Sequence, residues 1–168
     1  DVVALADVVD PRGNAMASLT VNLAQEPLLV DDPALEWQEL SVTALGLAVD
    51  RYESTEAYLA LHPGTVVGTV ASPGAEAVAS GSATTPDASA EFSARVLEAE
   101  YRTSTLTGQR FIHVSVDAAF PFDVCLPDGE LPARDSVIAG TAVMAGSIPT
   151  PSGSGCGGCG GSCGCGGH

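Results

Sequence analysis

Apolar and polar residues alternate most regularly in the second half of the chain. In the segment RFIHVSVDAAF (residues 110–120), Ile and Val residues fall on one face and His113, Ser115 and Asp117 on the other, which is the two-residue period of a half-buried strand. Strands are also predicted for EFSARVLEAEYRTS, FDVCLP and SVIAGTAVMAGSI, the last with a bulge or bend at its glycines. Short strands joined by turns predict a small β-barrel over residues 91–149.

The first half of the chain combines strand and helix patterns. Its start predicts two strands joined by a turn at DPRGN (residues 10–14), because proline, glycine and asparagine favour turns. LSVTALGLAVDRY (residues 40–52) predicts a strand from its β-branched residues, and TVVGTVAS predicts another. STEAYLALHPG (residues 54–64) predicts a short helix with a serine N-cap, and Asp32 followed by Pro33 predicts a further helical turn.

Composition divides the chain into four parts. Residues 73–90 are mostly small and polar with Pro and Gly, so we predict a linker or long loop that cannot bury enough surface to offset its ordering. Residues 1–72 are then an N-terminal α+β region, residues 91–149 a barrel, and residues 150–168 a disordered Gly/Cys tail. The predicted fold class is mainly β, or α+β, with one or two short helices in the first half.

The charge of the chain excludes two classes of partner. Its 168 residues include six basic residues, all Arg, against 21 acidic ones, for a net charge of −15. Such a surface repels nucleic-acid phosphates and anionic membranes. The sequence also lacks the uninterrupted apolar run of about 18 residues that a membrane-spanning helix needs. We therefore expect a soluble protein that binds neither nucleic acid nor membrane.

Signals for cellular location point to the cytoplasm. The sequence does not open with a basic region followed by a short apolar run, which is the pattern of a secretory signal. The five cysteines are odd in number, and four of them crowd into one short segment instead of spreading through the fold as structural disulfides do. We expect a cytoplasmic protein, although Asp1 in place of Met leaves a processed or secreted form open.

The order of elements over residues 92–148 resembles that of an OB-type barrel. The resemblance is carried by a long bent first strand, a hairpin at Thr107-Gly108 and a final stretch broken by glycine. Many members of that fold bind oligonucleotides on their second and third strands through basic and aromatic side chains. Here Asp117, Asp123 and Asp128 lie around that face, so the resemblance implies the shape of the barrel and not nucleic-acid binding.

The last residues of the chain concentrate metal-ligating side chains. The spacing is C-x2-C-x3-C-x-C-x2-H, formed by Cys156, Cys159, Cys163, Cys165 and His168. Thiolate and imidazole suit Zn(II), Cu(I) and iron–sulfur chemistry, and glycine lets a short chain wrap an ion. We predict that these five residues are metal ligands. Zn(II) is the first choice because it needs no redox control, with Cu(I), Ni(II) and an iron–sulfur cluster as alternatives.

Residues 153–168 are similar to the Gly/Cys/His-rich ends of some metal-handling and metal-delivery proteins. The similarity implies that the four cysteines donate thiolates and that the histidine donates a nitrogen. A flexible tail of this length has an r.m.s. reach of about 20–25 Å, enough to pass an ion to a protein partner or other metal acceptor. The same residues also resemble the core peptides of thiazole- and oxazole-forming precursors, in which an enzyme cyclises Cys or Ser onto the preceding carbonyl.

Outside the tail, few residues carry a signal of chemistry. Cys125 lies between apolar neighbours and is predicted to pack as a small hydrophobic residue. His62 is predicted to end a helix, whereas His113 lies on the polar face of a strand with Asp117 or Asp123 within reach. No phosphate-binding glycine loop and no enzyme signature is found.

These patterns lead to one preferred function and two alternatives. We predict a non-enzymatic binding or scaffold protein whose C-terminal tail binds or delivers a soft transition metal. The first alternative is a precursor protein that is modified at its tail cysteines. The second is an acidic structural subunit of a larger assembly.

Overall fold

The structure is a computed structural model that describes residues 3–24, 38–82 and 86–149. Its strands are β1 (Val3–Val9), β2 (Ala15–Leu23), β3 (Ser41–Tyr52), β4 (Thr69–Ala71), β5 (Ser89–Thr103), β6 (Arg110–Asp117), β7 (Pro121–Pro127) and β8 (Val137–Ser147). Its helices are α1 (Thr55–Leu61) and α2 (Pro73–Ala79). The mainly β fold class with short helices is confirmed. The helical turn predicted after Asp32 and the tail lie outside the described residues.

Five of these strands close into a barrel. The sheet order is β1-β2-β8-β3-β7-β6-β5-β4, and β8 also pairs with β5. This pairing closes the five strands from β8 to β5 in that order into the barrel. Neighbouring strands of the barrel are antiparallel except β3 and β7, which are parallel. The β1–β2 hairpin extends the sheet from β8 through a short parallel contact of Asn22 and Leu23 with Ala145 and Gly146.

One strand of the barrel comes from the first half of the chain. Residues 91–149 were expected to form the barrel alone, but β3 lies between β7 and β8 and completes it. Both flanking strands supply backbone partners along β3, and its Val42 and Ala44 are buried in the core. A division of the chain at residues 73–90 therefore does not separate the barrel from the region before it.

The inward face of each strand follows the predicted alternation. On β6, Ile112, Val114 and Val116 are fully buried, while the residues between them point outward. They pack in one core with Phe92, Val124, Leu126, Ile138 and Met144 from the other barrel strands and with Leu19 and Val21 from β2. Burial of each such side chain contributes about 1.5–3 kcal/mol. The interior of the barrel is filled by apolar side chains, and their burial stabilises the fold.

Helix α1 forms where its sequence predicts it. Ser54 caps the helix by accepting a hydrogen bond from the backbone N–H of Ala57 at 3.1 Å, and Glu56 lies in the first turn. The chain leaves the helix at His62, as predicted, and Tyr58 is the buried residue that attaches the helix to Val137 and Ala139 of β8. Of the strand predicted just after it, only Thr69–Ala71 is observed.

The predicted linker is wrong for residues 73–79, which form α2. Ser72 is the N-cap of this helix and Pro73 its first residue, a combination that favours helix initiation. Gly74 and Ala75 are buried, and a Cβ at Gly74 would lie 2.4 Å from Thr20 Oγ1 and 2.5 Å from the Asp87 carbonyl oxygen. Small residues, which composition alone assigned to a loop, here allow the helix to approach β2 closely.

A buried polar network fastens α2 to the barrel. Ser72 Oγ accepts hydrogen bonds from the backbone N–H groups of Thr20 at 3.1 Å and Ala75 at 3.3 Å. Thr20 Oγ1 lies 3.0 Å from Ser72 Oγ and donates to the Asp87 carbonyl oxygen at 2.6 Å. Because Thr20 and Ser72 are both almost fully buried, water cannot replace a partner that is lost.

Substitution Ser72→Ala is expected to lower the free energy of unfolding by about 2–3 kcal/mol, since it removes a helix cap and leaves a buried N–H without an acceptor. Ser54→Ala is the matched control, because it removes the cap of α1 and a hydrogen bond to the Glu56 carboxylate but belongs to no buried network, and it is expected to cost about 1 kcal/mol. Urea unfolding of both variants measures the difference. Equal losses in the two variants would show that the buried network adds nothing to the cap.

Candidate functional site

The outer face of the barrel carries a row of polar side chains across three strands. Because Val114 and Val116 of β6 point inward, His113 points outward. The strand register places it opposite Glu100 of β5 on one side and Cys125 of β7 on the other. Residues directly opposite each other on neighbouring strands share a face of the sheet. The three side chains therefore form one row.

Two carboxylates flank the His113 ring. Its Nε2 lies 3.5 Å from Asp123 Oδ1, and its Nδ1 lies 3.7 Å from Glu100 Oε1. The imidazole is only 14% exposed, whereas the two carboxylates are about half exposed. Ser115 Oγ donates a hydrogen bond to Asp123 Oδ1 at 3.2 Å and helps to orient that carboxylate. The ring is thus held between two negative groups at the barrel surface.

The sequence predicted one of these carboxylates and missed the other. Of the two alternatives Asp117 and Asp123, Asp123 is the carboxylate that lies beside His113. Asp117 instead faces Arg95 of β5, at 3.5 Å. Glu100 was not predicted, because the sequence places the hairpin turn at Thr107-Gly108. A two-residue turn there would pair His113 with Arg102. The connection observed between Thr103 and Arg110 is six residues long, 104–109, and shifts the register to Glu100.

Cys125 lies on the outer face of the barrel rather than in its core. Val124 and Leu126 take the inward positions of β7, and the Cys125 side chain remains half-buried among its outward neighbours. Burial raises the pKa of the Cys125 thiol, the charge of Asp123 raises it further, and Arg102 lowers it. The thiol is therefore protonated at neutral pH and is a weak nucleophile there.

Alkylation of Cys125 by iodoacetamide at pH 8 is expected to be slower than that of free cysteine, since burial raises the pKa of the Cys125 thiol and so lowers the fraction present as the reactive thiolate. The reaction can be followed in the full chain by mass spectrometry of the tryptic peptide 111–134, whose only cysteine is Cys125. Urea-unfolded protein is the control and should react at the rate of free cysteine. A native rate equal to the unfolded rate would contradict the raised pKa.

His62 belongs to an aromatic cluster at the end of α1. Its ring stacks on Tyr58 at a centroid distance of 4.6 Å, and its Nε2 lies 3.0 Å from the hydroxyl oxygen of Tyr52. Tyr52 and Tyr58 pack edge to face at 4.9 Å. Through these contacts, His62 packs the end of α1 against Tyr52 of β3.

Two shallow depressions lie beside the polar row. One, of about 420 Å³, is lined by residues 46–51 of β3 and by Leu126, Pro127 and Asp128. The second, of about 500 Å³, is lined mainly by the β5–β6 connection and shares Pro127 and Asp128 with the first. Neither contains His113 or Cys125. The polar row therefore lies outside both depressions.

The predicted metal ligands lie outside the residues that the structure describes. These are the tail residues Cys156, Cys159, Cys163, Cys165 and His168. Within the described ranges 3–24, 38–82 and 86–149, no group of three or more His, Cys, Asp or Glu side chains is arranged to hold a metal ion. Within the same ranges, no helix has the length and apolar character needed to cross a bilayer.

The described part of the chain defines a small closed β-barrel protein with a β-hairpin extension and a carboxylate-flanked histidine on its outer face. Comparisons with protein-family models, with curated proteins and with solved structures find no match to this chain. Its function is therefore argued from its own residues.

Proposed function

We propose that this protein is a non-enzymatic carrier or scaffold whose C-terminal tail binds a soft transition metal. The observation that carries the proposal is the presence of four cysteines and one histidine within residues 156–168. Thiolate and imidazole are the donors that Zn(II) prefers, and glycine between them allows the chain to fold around an ion. Zn(II) is the first candidate, with Cu(I), Ni(II) and an iron–sulfur cluster as alternatives.

The acidic character of the protein supports a role with cations. A net charge of −15 attracts metal ions and basic partners and repels phosphate-rich ones. We expect the partner to be a protein or another metal acceptor, with no nucleic acid and no membrane involved. A cytoplasmic location would keep the tail thiols reduced and able to bind metal.

We also propose that the barrel is OB-like in shape. The antiparallel strands β5, β6 and β7 follow one another in the chain and in the barrel, as in the first part of such a fold. On β6 and β7, the strands that bind oligonucleotides in many OB proteins, the outward residues here include Asp117 and Asp123. This acidic face supports a carrier role for the barrel over nucleic-acid recognition.

The test is metal and thiol analysis of the gently purified full chain. We expect about one Zn(II) per chain and tail cysteines that are protected from thiol reagents until a chelator is added. Inductively coupled plasma mass spectrometry gives the metal content, and alkylation followed by peptide mapping gives the state of each cysteine. Free tail thiols together with no bound metal, even after Zn(II) is supplied, would overturn the proposal.

A second candidate function is that of a precursor protein modified at its tail. It is favoured by glycine directly before Cys156, Cys159 and Cys165, because an unhindered carbonyl suits cyclisation of cysteine into an azole. Intact mass of protein expressed with its native neighbours distinguishes the two functions. Each azole ring lowers the mass by about 20 Da, because cyclisation releases water and an oxidant supplied by the modifying enzyme then removes two hydrogens. Metal binding leaves the mass of the denatured chain unchanged.

A further inference from the structure

The sheet ends in two edge strands of unequal length. β1 and β4 are its outermost strands. β4 has only three residues, and so short an edge offers little template for a further strand. β1 has seven residues, and among the described residues its only strand partner is β2. The other side of β1 therefore presents a row of backbone N–H and C=O groups about 23 Å long.

β1 lacks the features that usually protect an exposed edge. Proteins blunt edge strands with lysine, proline, inward-pointing charges or a bulge. The sequence VALADVV contains neither lysine nor proline, and the irregularity in its pairing with β2 lies at its end, between Val8 and Val9. Its one charged residue, Asp7, is exposed and accepts a hydrogen bond from Ser18 of β2. The edge is thus open to pairing with another strand.

The apolar core is incompletely covered at the same edge. Ala4, Ala6 and Val8 of β1 pack against the core but remain partly exposed. Leu19 and Val21, which lie opposite two of them on β2, are fully buried. The difference arises because a side chain on an edge strand has a cross-strand neighbour on one side only. A further strand with apolar residues on the same face would complete the cover.

A second copy of β1 fits this edge by symmetry. Antiparallel strands related by a two-fold axis keep the same face of the sheet on the same side, so the apolar row of one copy continues that of the other. Full overlap of Val3–Val9 puts the axis at Ala6 and places Leu5 opposite Asp7 of the second copy. No two carboxylates of β1 are then directly opposite. Pairing along the whole strand adds about six to eight backbone hydrogen bonds.

We propose that the protein forms a two-fold dimer in which β1 pairs antiparallel with β1 of a second copy. The inference goes beyond the metal-binding proposal and does not depend on it. Because each copy carries a net charge of −15, the two copies repel each other at low ionic strength. Salt screens this repulsion and strengthens the dimer, whereas it would weaken the binding of a basic strand from another protein.

Sedimentation equilibrium of the full chain tests the dimer. A chelator and a reductant are present, so that neither metal nor disulfides link two tails. We expect a reversible monomer–dimer equilibrium that tightens by about tenfold between about 0.01 and 0.15 M salt, as the Debye length falls from about 30 to 8 Å. A chain that stays monomeric at high concentration and at every salt concentration would overturn the proposal, and so would a dimer that weakens as salt is added.

Substitutions at Leu5 test the register, because this side chain is 47% exposed and lies outside the core. Leu5→Asp puts like charges directly opposite each other twice in the dimer and should weaken association by about tenfold. Leu5→Lys puts opposite charges at the same places and should strengthen association by about threefold. A lysine on an edge used in any other way would weaken pairing, so the sign of the change is diagnostic.

The matched controls are Leu106→Asp and Leu106→Lys. Leu106 is 96% exposed and lies in the β5–β6 connection, so these variants make the same changes of net charge away from the edge. Their dissociation constants should stay within about twofold of the wild-type value. A Leu5 variant that dimerises as its Leu106 control does would show that β1 does not pair in this register and would overturn the proposal.

Hydrogen exchange locates the contact in the wild-type chain. In the dimer, the amides of β1 that point away from β2 gain hydrogen-bond partners, so about three or four amides within residues 3–9 should exchange more slowly than in dilute monomer. The amides of β4, at the other edge, are the control and should exchange equally in both samples. Slower exchange elsewhere without any change in β1 would place the dimer contact on another surface and overturn the proposal.

Discussion

Removal of residues 150–168 is expected to abolish metal binding at micromolar concentrations while the metal-free barrel keeps its stability. The truncated chain lacks all five predicted ligands, and no group of three or more metal-ligating side chains is found among the described residues that it keeps. Its affinity for Zn(II) should therefore fall by at least about a thousandfold. Among the residues that the structure describes, side chains of β2, β3 and β5–β8 already form the core of the barrel. The free energy of unfolding without metal should therefore change by less than about 0.5 kcal/mol.

Two measurements check this prediction on the same samples. Zn(II) competition titration gives the affinity, and urea unfolding in the presence of a chelator gives the stability. The matched control keeps the length of the tail but replaces its four cysteines by serine, and it should lose metal as the truncated chain does. A truncated chain that still binds Zn(II) with wild-type affinity would assign the metal to the barrel, and one that unfolds would make the tail structural.

Substitution Gly140→Ala is expected to destabilise the protein by about 3 kcal/mol or more, a large part of the 5–15 kcal/mol typical of a domain. A Cβ at position 140 would lie 1.9 Å from the carbonyl oxygen of Ala48 and 2.9 Å from Val49 Cα. The φ angle of Gly140 is also positive, at 155°. Since β8 pairs with β3 on one side and β5 on the other at this residue, the strand cannot shift to relieve the clash.

The clash at Gly140 follows from a bulge in the opposite strand. The register of β3 against β8 shifts between Gly46 and Ala48, which leaves Leu47 largely exposed and brings the β3 backbone towards Gly140. Glycine is common where two backbones approach each other so closely. The sequence predicted a bulge or bend at the glycines of β8, and the irregularity is observed at the same level of the barrel, in β3.

The Gly140 prediction has a matched control in Gly129→Ala. A Cβ at position 129 would meet only the end of the flexible Arg51 side chain, at 3.8 Å. Gly129→Ala should therefore change the free energy of unfolding by less than about 0.5 kcal/mol. Thermal and urea unfolding of both variants give the comparison. A Gly140→Ala protein as stable as the control would mean that the strands β3 and β8 do not approach each other as described.

Structural elements that are specified by residues close together in the chain could be predicted from the sequence. The turn after β1, the helix α1 with its Ser54 cap and the alternation of β6 all depend on neighbours in the chain. Helix α2 carried such a signal too, in Ser72 followed by Pro73. It was missed because its small residues were taken for a loop, whereas only contact with Thr20 shows why they are small.

The candidate site on the barrel was predicted in part. The outward position of His113 follows from the period of β6, and its contact with Asp123 was foreseen. The contact with Glu100 depends on the length of the β5–β6 connection, which shifts the register by two residues from a tight turn. A shift in register changes which side chains face each other across two strands, but it leaves the pattern of polar and apolar residues along each strand unchanged.

The sequence by itself determined the mainly β class, the inward and outward faces of the strands and the metal-ligating composition of the tail, because each depends on residue type and short spacing. Only the tertiary structure decided that β3 enters the barrel beside β7 and β8, that α2 packs on β2 and that Cys125 lies next to His113. Strand partners are chosen by the burial of side chains distant in the chain. The pattern of neighbouring residues in the sequence does not show which strands will pair.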